Sequence, residues 1–323
     1  MTNAIRVHVV GGPDVMRWEA FEVGDPGPGE VRLRHHAVGL NYIDVYHRTG
    51  LYPQPLPFIP GLEGAGVVEA VGDGVTSVAP GDRVAYAGPI GSYAELRLID
   101  AVHLVPLPAE IDFDTAAAMM LQGLTVDMLI NRVRPLKAGE TILVHAAAGG
   151  VGLILCQWAK AIGATVIGTV SSDDKAELAG AHGCDHPIVT SRDDFVAEVL
   201  RITDGKKLPV VYDSVGKDSF VRSLDCLQRR GMLVSFGQAS GPVTDFLPGM
   251  LAQKGSLYLT RPTLFDFIAT RQELEASSAA LFAMISSGKV RIEIGQRFAL
   301  ADAASAHRAL EARQTTGSTV LTV

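Results

Sequence analysis

Hydrophobic residues in the middle of the chain follow two different spacings. Residues 141–145 form a short apolar run of the kind that a buried parallel strand presents, and residues 165–169 form a second one. Between these runs, apolar residues from Val151 to Ile162 recur at helical spacing. The pattern therefore predicts a strand, a turn, a helix and a second strand.

The alternation of strand and helix patterns continues along the chain. Helices are predicted at residues 176–182, 193–202 and 219–227, and strands at residues 186–189, 209–213, 231–236 and 256–260. This alternation predicts a parallel, doubly wound sheet, in which ligands meet the loops that follow the strands. Residues 213–216 and 236–241 are two such loops.

The N-terminal third of the chain has a different pattern. Short β-type runs at residues 7–10, 31–37, 66–71, 83–87 and 93–98 are separated by turns rich in Gly, Pro and Asp. They predict a many-turned β domain. Residues 114–132 predict one or two helices that lead into the second domain. A helix at about residues 272–287 and the run through Val323 are expected to return to the first domain.

The turn after residues 141–145 carries Ala146, Gly149, Gly150 and Gly152. Small residues let the backbone approach a pyrophosphate, and the following helix offers unpaired N–H groups and a positive dipole end. The spacing is that of the dinucleotide-binding fingerprint, with Ala146 in place of its first glycine. The alternative is a helix N-terminus that needs glycine only for close packing on the strand.

The end of the second strand indicates which dinucleotide binds. Ser171, Ser172 and Lys175 offer hydroxyl groups and a positive charge, which suit the 2′-phosphate of NADP. An acidic residue would instead hold the ribose of NAD, and Asp173 and Asp174 lie close enough to do so. We interpret both as acids of the first helical turn, favoured by the helix dipole, and we expect NADP.

Proline and aromatic residues are dense in residues 39–64. A stiff loop that leaves a polar and aromatic segment can form the wall of a substrate cleft. The polar candidates of the segment are Asn41, Tyr42, Asp44, Tyr46 and His47. Any one of them could instead be a loop residue whose hydrogen bonds are satisfied locally.

Length and charge restrict the class of protein. The 323 residues are enough for two domains, and the formal charge of −7 argues against a nucleic-acid partner. The N-terminus lacks the pattern of a signal peptide, and the uncharged residues 141–159 are interrupted by glycines, so we expect no membrane span. Cys156, Cys184 and Cys226 are few and widely spaced, which predicts neither disulfides nor a zinc cluster. A cytoplasmic location is expected.

These features together resemble the zinc-free quinone oxidoreductases of the medium-chain dehydrogenase/reductase superfamily, which include the zeta-crystallins. The motifs that carry the resemblance are GLNYIDVYHRTG from Gly39, PGLEGAGVVEAVG from Pro60, HAAAGGVG from His145, VYDSVGKDSF from Val211 and SLYLTRP from Ser256. The resemblance implies an α/β fold with two domains. Residues 1–125 and 263–323 would form a GroES-like β-rich catalytic domain, and residues 126–262 a Rossmann domain that binds NADP.

The resemblance also implies roles for single residues. Asn41 and Tyr46 would border the nicotinamide and the substrate, which makes them the candidate catalytic residues. The other implied cofactor contacts are Thr125 near the phosphates, Gly149, Gly150, Val151 and Gly152 at the pyrophosphate, Ser171 and Lys175 at the 2′-phosphate, Ser214 at the adenosine, Phe236 and Gln238 at the nicotinamide ribose, and Arg313.

Residue types argue against a metal ion. The zinc-dependent alcohol dehydrogenases of the superfamily use Cys and His ligands, because Zn²⁺ prefers thiolate and imidazole. This chain has Asn41 in the segment of the cysteine ligand and Leu62 in place of the histidine. Without a Lewis acid to stabilise an alkoxide, alcohol oxidation is not expected.

Two positions depart from the pattern of the family. Many relatives carry a tyrosine after the strand near Val189 that contacts the phosphate end of the cofactor, and this chain has Thr190. An aromatic residue common in the helix after Gly123-Leu124-Thr125 is replaced by Met128. Both changes weaken the expected affinity for NADP, and neither touches the glycine turn.

The leading hypothesis is an NADPH-dependent quinone reductase in which Asn41 and Tyr46 orient the carbonyl of a quinone or similar electron-poor acceptor. One alternative is an enone or alkenal reductase that delivers hydride to a carbon–carbon double bond and needs a proton donor such as Tyr46. Another is a non-catalytic NADPH-binding protein with a crystallin-like or RNA-binding role. The apolar run from Ser256 to Thr260 would be the edge strand of the sheet, which predicts a homodimer.

Overall fold

The computed structural model describes residues 1–323, and the chain forms two compact units. The first, which we call the β-rich unit, contains Met1–Leu124, Ile268–Ser286 and Ile292–Val323. The second, the parallel-sheet unit, contains Thr125–Phe267 and Ser287–Arg291. Both chain ends therefore belong to the same unit.

The β-rich unit is built mainly of short antiparallel strands. Its strands are β1 (Thr2–Val7), β2 (Met16–Phe21), β3 (Glu30–Leu40), β4 (Glu63–Val71), β5 (Arg83–Ala87), β6 (Leu96–Asp100), β7 (Val105–Pro106), β14 (Ile294–Ala299) and β15 (Ser318–Thr322). Seven of them form one sheet in the order β14-β15-β3-β4-β5-β7, with β6 also paired to β3, and β1 and β2 form a hairpin. The C-terminal β15 pairs antiparallel with β3, so the end of the chain completes the sheet begun by its start.

Helices of the β-rich unit lie between and after these strands. They are α1 (Tyr42–Thr49), α2 (Phe113–Ala117), α10 (Arg271–Ser286) and α11 (Ala303–Glu311), together with most of α3 (Met120–Asp127). The core packs residues that are distant in sequence, and one of its clusters joins Ile5, Val38, Tyr93, Leu300 and Leu321.

Two local predictions for this unit are wrong. The strand predicted at residues 7–10 lies instead at Thr2–Val7, because the β1–β2 hairpin ends at the Val7–Met16 pair and Val9 and Val10 are exposed beyond it. The segment after Asn41 is helix α1 rather than a loop. Asp44, the third residue of that helix, accepts the backbone N–H of Asn41 at 2.9 Å, which stabilises a helix start that the aromatic residues had obscured.

The parallel-sheet unit alternates strands and helices. Its strands are β8 (Thr141–Val144), β9 (Thr165–Val170), β10 (His186–Val189), β11 (Leu208–Asp213), β12 (Leu227–Ser235) and β13 (Tyr258–Thr260). Its helices are α4 (Gly150–Ile162), α5 (Asp173–Ala181), α6 (Phe195–Ile202), α7 (Phe220–Ser223), α8 (Gly249–Gln253) and α9 (Leu264–Phe267), preceded by a π-helical segment at Met128–Val133.

All six strands of this sheet run parallel, in the order β10-β9-β8-β11-β12-β13. Leu143, Ile167, Val211 and Leu233 are fully buried in it, because helices cover a parallel sheet on both faces. The predicted doubly wound α/β fold is confirmed. The helix predicted at 219–227 is α7 followed by a 3-10 helical turn at Leu224–Cys226, and it ends there because Leu227 already pairs with Leu208 as the first residue of β12.

Candidate active site

The candidate site of the parallel-sheet unit is the turn between β8 and α4. Ala146 has a φ of 54°, in the left-handed region that glycine adopts at lower cost. Its carbonyl oxygen accepts the N–H of Gly149 at 3.0 Å. Ala146 therefore keeps the backbone shape of the fingerprint's first glycine, at a cost of about 1 kcal/mol.

Gly152 shows why the turn needs glycine. A Cβ atom on Gly152 would lie 2.3 Å from the carbonyl oxygen of Ala146 and 2.8 Å from the Cα of Ala147. Both neighbours are backbone atoms that cannot rotate away. Glycine at this position lets α4 begin directly against the turn.

The N-terminus of α4 is open to an anion. No side chain caps the helix at Gly149, and its first turn contains no acidic residue. The first N–H groups of the helix, from Gly150 onward, point away from the helix body, where the positive end of the helix dipole attracts negative charge. The turn therefore fits a pyrophosphate.

The direction of the sheet order changes beside this turn. From β8 the chain proceeds through β9 and β10 on one side and through β11, β12 and β13 on the other. Ligands of doubly wound sheets bind at such a switch point, outside the carboxyl ends of the strands. The glycine turn follows β8, and Ser214 and Phe236 follow β11 and β12 at the same edge.

The loops after β11 and β12 are held together. The N–H of Phe236 donates to the carbonyl of Asp213 at 2.8 Å, and the N–H of Ala239 donates to that of Ser214 at 3.1 Å. A Cβ on Gly237 would lie 2.5 Å from the Ser214 carbonyl oxygen. The two loops therefore pass close together, and they place the candidates Ser214, Phe236 and Gln238 in one region.

The end of β9 carries the two candidates for the 2′-phosphate. Ser171 follows β9, and Ser172 caps α5 by accepting the N–H of Lys175 at 3.4 Å. Asp173 forms an exposed ion pair with Arg192 at 2.6 Å. The ion pair occupies Asp173, one of the two acids that could hold a ribose. Arg192, which was not a sequence candidate, adds a positive charge after β10.

Two further candidates lie outside these loops. Thr125 is a buried residue of α3. Arg313 follows α11 in the β-rich unit, with a φ of 59°. Burial and the charge of Glu311 raise the pKa of the Tyr42 phenol, and the positive charge of Arg313 partly offsets this rise. Arg313 thus lies near the start of α1.

A separate candidate site, in the β-rich unit, is the N-terminus of α1. Asn41 precedes the helix and Tyr46 lies within it, and both side chains are mostly buried. The Tyr46 ring packs between two others, with centroid distances of 5.5 Å to Tyr42 and 5.1 Å to Tyr52. The two predicted catalytic residues therefore lie five positions apart at the start of α1, and Tyr46 belongs to an aromatic cluster.

The Asn41 amide is held at both ends. Its Nδ2 donates to Oε2 of Glu63 at 2.7 Å, and its Oδ1 accepts from Nε2 of Gln122 at 3.2 Å. Burial raises the pKa of the Glu63 carboxyl to about 8. Neither partner was a sequence candidate. The signal that could have identified Glu63 is a single acidic residue at the start of the apolar run EGAGVV.

A second buried network ties α1 to α11. Asp44 accepts the Tyr93 hydroxyl at 3.0 Å, and that hydroxyl lies 3.1 Å from Nε2 of His307. Arg48 contacts Nδ1 of His307 at 3.1 Å and forms a two-bond ion pair with Glu311. Burial raises the pKa of Asp44 to about 7 and lowers that of His307 to about 3. The network is a structural support of the helix that carries Tyr46.

The positions of the two expected zinc ligands hold other chemistry. Leu62 is a buried apolar residue, and Asn41 is bound to Glu63 and Gln122. No group of three or more His, Cys, Asp or Glu side chains is arranged to hold a metal ion. The structure also contains no helix with the length and apolar character needed to span a bilayer.

Comparison with known families agrees with both units. Residues 27–109 match the model of the alcohol dehydrogenase GroES-like domain, and residues 150–283 match that of the zinc-binding dehydrogenases. The predicted GroES-like domain is thereby confirmed. The second model takes its name from the zinc-binding members of its family. In this chain, no group of three or more His, Cys, Asp or Glu side chains is arranged to hold a metal ion.

Full-length relatives are more specific. The chain is 57% identical over 323 residues to a quinone oxidoreductase of Pseudomonas aeruginosa, with 99% of both chains covered. It is 45% identical over 331 residues to a 2-haloacrylate reductase of a Burkholderia species, again with 99% of each covered. Among solved structures, Escherichia coli quinone oxidoreductase complexed with NADPH matches with a TM-score of 0.98 and 48% identity, over 99% of this chain and 100% of that one.

Proposed function

The chain belongs to the quinone oxidoreductases of the medium-chain dehydrogenase/reductase superfamily, and from this premise we propose that it reduces quinones with NADPH. The observation that carries the proposal is the open N-terminus of α4 at Gly149, at the switch point of a parallel sheet. It fits a dinucleotide pyrophosphate, and the E. coli relative of 48% identity holds NADPH.

The residues proposed to hold NADPH follow the edge of the sheet. The pyrophosphate is bound by backbone N–H groups of Gly149, Gly150, Val151 and Gly152. Gly152 has no side chain that would collide with the turn, so the helix can begin directly against it. Ser171 and Lys175 bind the 2′-phosphate. The other proposed contacts are Asn41, Thr125, Ser214, Phe236, Gln238 and Arg313. When bound, the cofactor supplies the reducing equivalents.

Asn41 and Tyr46 are proposed to orient the acceptor. Nδ2 of Asn41 has two hydrogens, and Glu63 takes one of them, so the second can donate to a carbonyl oxygen. The rings of Tyr42 and Tyr52 hold Tyr46 on either side, which limits its motion. These groups can bind and orient a flat carbonyl acceptor without a metal ion, and we propose a zinc-independent reaction.

Absorbance of the reduced nicotinamide tests the proposal. The protein is mixed with a simple para-quinone and either NADPH or NADH, and in a parallel reaction the quinone is replaced by an enone. We expect quinone-dependent oxidation with NADPH preferred. Turnover of the enone alone would instead assign the reduction of carbon–carbon double bonds, a class that the similarity to 2-haloacrylate reductase makes worth including.

Asn41→Ala tests the role of Asn41. We expect turnover of the quinone to fall about tenfold while the Kd for NADPH changes less, because one donor to the acceptor is lost. Asn3→Ala is the matched control, since the Asn3 side chain binds Glu95 in the same unit. Unchanged turnover in Asn41→Ala would count against the assignment.

We further propose a cytoplasmic homodimer that binds no nucleic acid. β13 has a partner on only one side, and its Tyr258 is 52% exposed, which supports pairing of this edge with a second copy. The net charge of −7 gives no basic footprint, and the three cysteines are free and buried. Sedimentation of the wild type as a monomer, or salt-sensitive retention of RNA, would contradict this proposal.

A further inference from the structure

The Asn41 amide is the centre of a chain of buried hydrogen bonds. Glu63 is completely buried, and Asn41 and Gln122 are 7% and 5% exposed. Both carboxyl oxygens of Glu63 accept N–H groups, since Oε1 accepts from the backbone of Leu121 at 2.8 Å and Oε2 accepts from Asn41. The Asn41 amide is therefore enclosed by its partners, and a half-turn of the amide exchanges the atoms that contact Glu63 and Gln122.

The chain continues beyond Gln122. Oγ of Ser318 lies 2.7 Å from Oε1 of Gln122 and 2.9 Å from the carbonyl oxygen of Ala118. Both neighbours are acceptors, and a hydroxyl group has one hydrogen, so Ser318 can donate to only one of them. When Ser318 donates to Gln122, its shorter contact, all donors along the chain point toward Glu63.

This direction requires an ionised Glu63, because a carboxylate only accepts hydrogen bonds. A proton on Oε2 would need an acceptor, and a half-turn of the Asn41 amide would provide Oδ1. Asn41 Nδ2 would then donate to Gln122, Gln122 Nε2 to Ser318, and Ser318 to the carbonyl of Ala118. Each contact of the chain again joins one donor to one acceptor in this second arrangement, so the same side chains allow two directions.

We propose that Glu63 is a positioning residue whose protonation state selects the orientation of the Asn41 amide. The inference rests on the proposed role of Asn41 toward the acceptor. In the two arrangements, the second N–H of Nδ2 and the Oδ1 atom exchange places. The backbone N–H of Asp44 faces the Asn41 side chain and also donates to the Asn41 carbonyl oxygen at 3.0 Å, so it keeps an acceptor when the amide turns. An acceptor carbonyl meets a donor in one arrangement and an oxygen atom in the other, and the observed arrangement with ionised Glu63 is the productive one.

The surroundings of Glu63 place this change in an accessible pH range. Burial raises its pKa to about 8, opposed by the N–H groups of Asn41, Leu121 and Met120. The titratable groups that face it are acidic or phenolic. They are Asp44 of α1, Tyr86 of β5 and Tyr93. Asp44 itself has a pKa raised by burial to about 7, so its variant is needed as a control.

Glu63→Gln imitates the protonated form. The backbone N–H of Leu121 requires an acceptor, so the amide oxygen of the new side chain faces Leu121 and its nitrogen faces Asn41. The Asn41 amide is then turned at every pH. We expect kcat for a para-quinone to rise with pH through about 8 in the wild type, and to be about tenfold lower and flat from pH 7 to 9 in Glu63→Gln.

NMR of the Asn41 side chain tests the orientation without turnover. The chain has three asparagines, Asn3, Asn41 and Asn131, so selective ¹⁵N-asparagine labelling gives three side-chain NH₂ groups, and Asn41→Ala identifies one of them. We expect the Asn41 signal to shift with a midpoint near pH 8 in the wild type and at a lower pH in Asp44→Asn, because the charge of Asp44 helps to raise the pKa of Glu63, and to stay constant in Glu63→Gln. A pH-independent wild-type signal, or the same titration in Glu63→Gln, overturns the proposal.

The double variant separates this inference from the proposed function. If Glu63 acts through Asn41, adding Glu63→Gln to Asn41→Ala changes kcat by less than about twofold, whereas additive losses overturn the inference. Absence of quinone turnover in the wild type contradicts the proposed function alone, because the NMR titration then still decides the orientation of the amide.

Discussion

The glycine turn of the parallel-sheet unit and the Asn41 region of the β-rich unit are built in opposite ways. The turn uses backbone groups of seven consecutive residues, Ala146 to Gly152, and it depends on the lack of a side chain at Gly152. The Asn41 amide depends on buried side chains of Glu63, Gln122 and Ser318, which are 22, 81 and about 277 residues away. One region is local and the other is assembled by the fold.

The two designs respond differently to change. A backbone site is lost when a side chain enters it, and it is insensitive to pH because N–H groups do not titrate. A buried side-chain network is sensitive to the loss of each partner and to the charge of its acids, since an unpaired polar group in the interior has a high cost. The variants below test this contrast.

The largest effect is expected from Gly152→Val. Its Cβ would lie 2.3 Å from the Ala146 carbonyl oxygen, so the turn and the start of α4 must separate. We expect the Kd for NADPH, measured by fluorescence titration, to rise more than about 100-fold. Gly180→Ala is the control, because a Cβ there meets nothing within 4 Å and alanine favours the helix by up to about 1 kcal/mol. Wild-type binding by Gly152→Val would remove the backbone interpretation.

Arg48→Met should destabilise the β-rich unit strongly. The Arg48 side chain is 1% exposed and forms two hydrogen bonds to Glu311, so its loss leaves that carboxylate without its buried partner. We expect a loss of about 3 kcal/mol in the free energy of unfolding, measured with urea. Arg201→Met is the control, since its pair with Glu198 is exposed and should contribute nothing measurable. Equal effects of both variants would contradict the contrast drawn here.

Lys175→Ala is expected to have the smallest effect of the three. Removing one positive charge at the 2′-phosphate should raise the Kd for NADPH about tenfold and leave that for NADH nearly unchanged. Lys206→Ala removes a charge from an exposed turn and serves as the control. A parallel loss of affinity for both cofactors would show that Lys175 acts on the fold of the loop rather than on the phosphate.

The doubly wound sheet and the helix after the glycine turn could be predicted because their signals are local. Periodicity over a few residues identified β8, α4 and β9, and turn residues identified the many-stranded N-terminal part. The start of α1 also has a local signal, the side chain of Asp44 on the backbone of Asn41 three residues before it, but the surrounding proline and aromatic residues favoured a loop. The aromatic residues around Tyr46 are typical of a loop in sequence, and only the tertiary structure shows that Tyr46 packs against Tyr52.

By itself, the sequence determined the glycine turn, the order of strands and helices around it, the absence of cysteine and histidine at the two expected ligand positions, and the family that these motifs resemble. The tertiary structure decided which carboxyl groups are buried and what they hold. Glu63 becomes a partner of Asn41 only when β4 lies against β3, because hydrogen bonds and pKa shifts depend on distance in space and on exclusion of water.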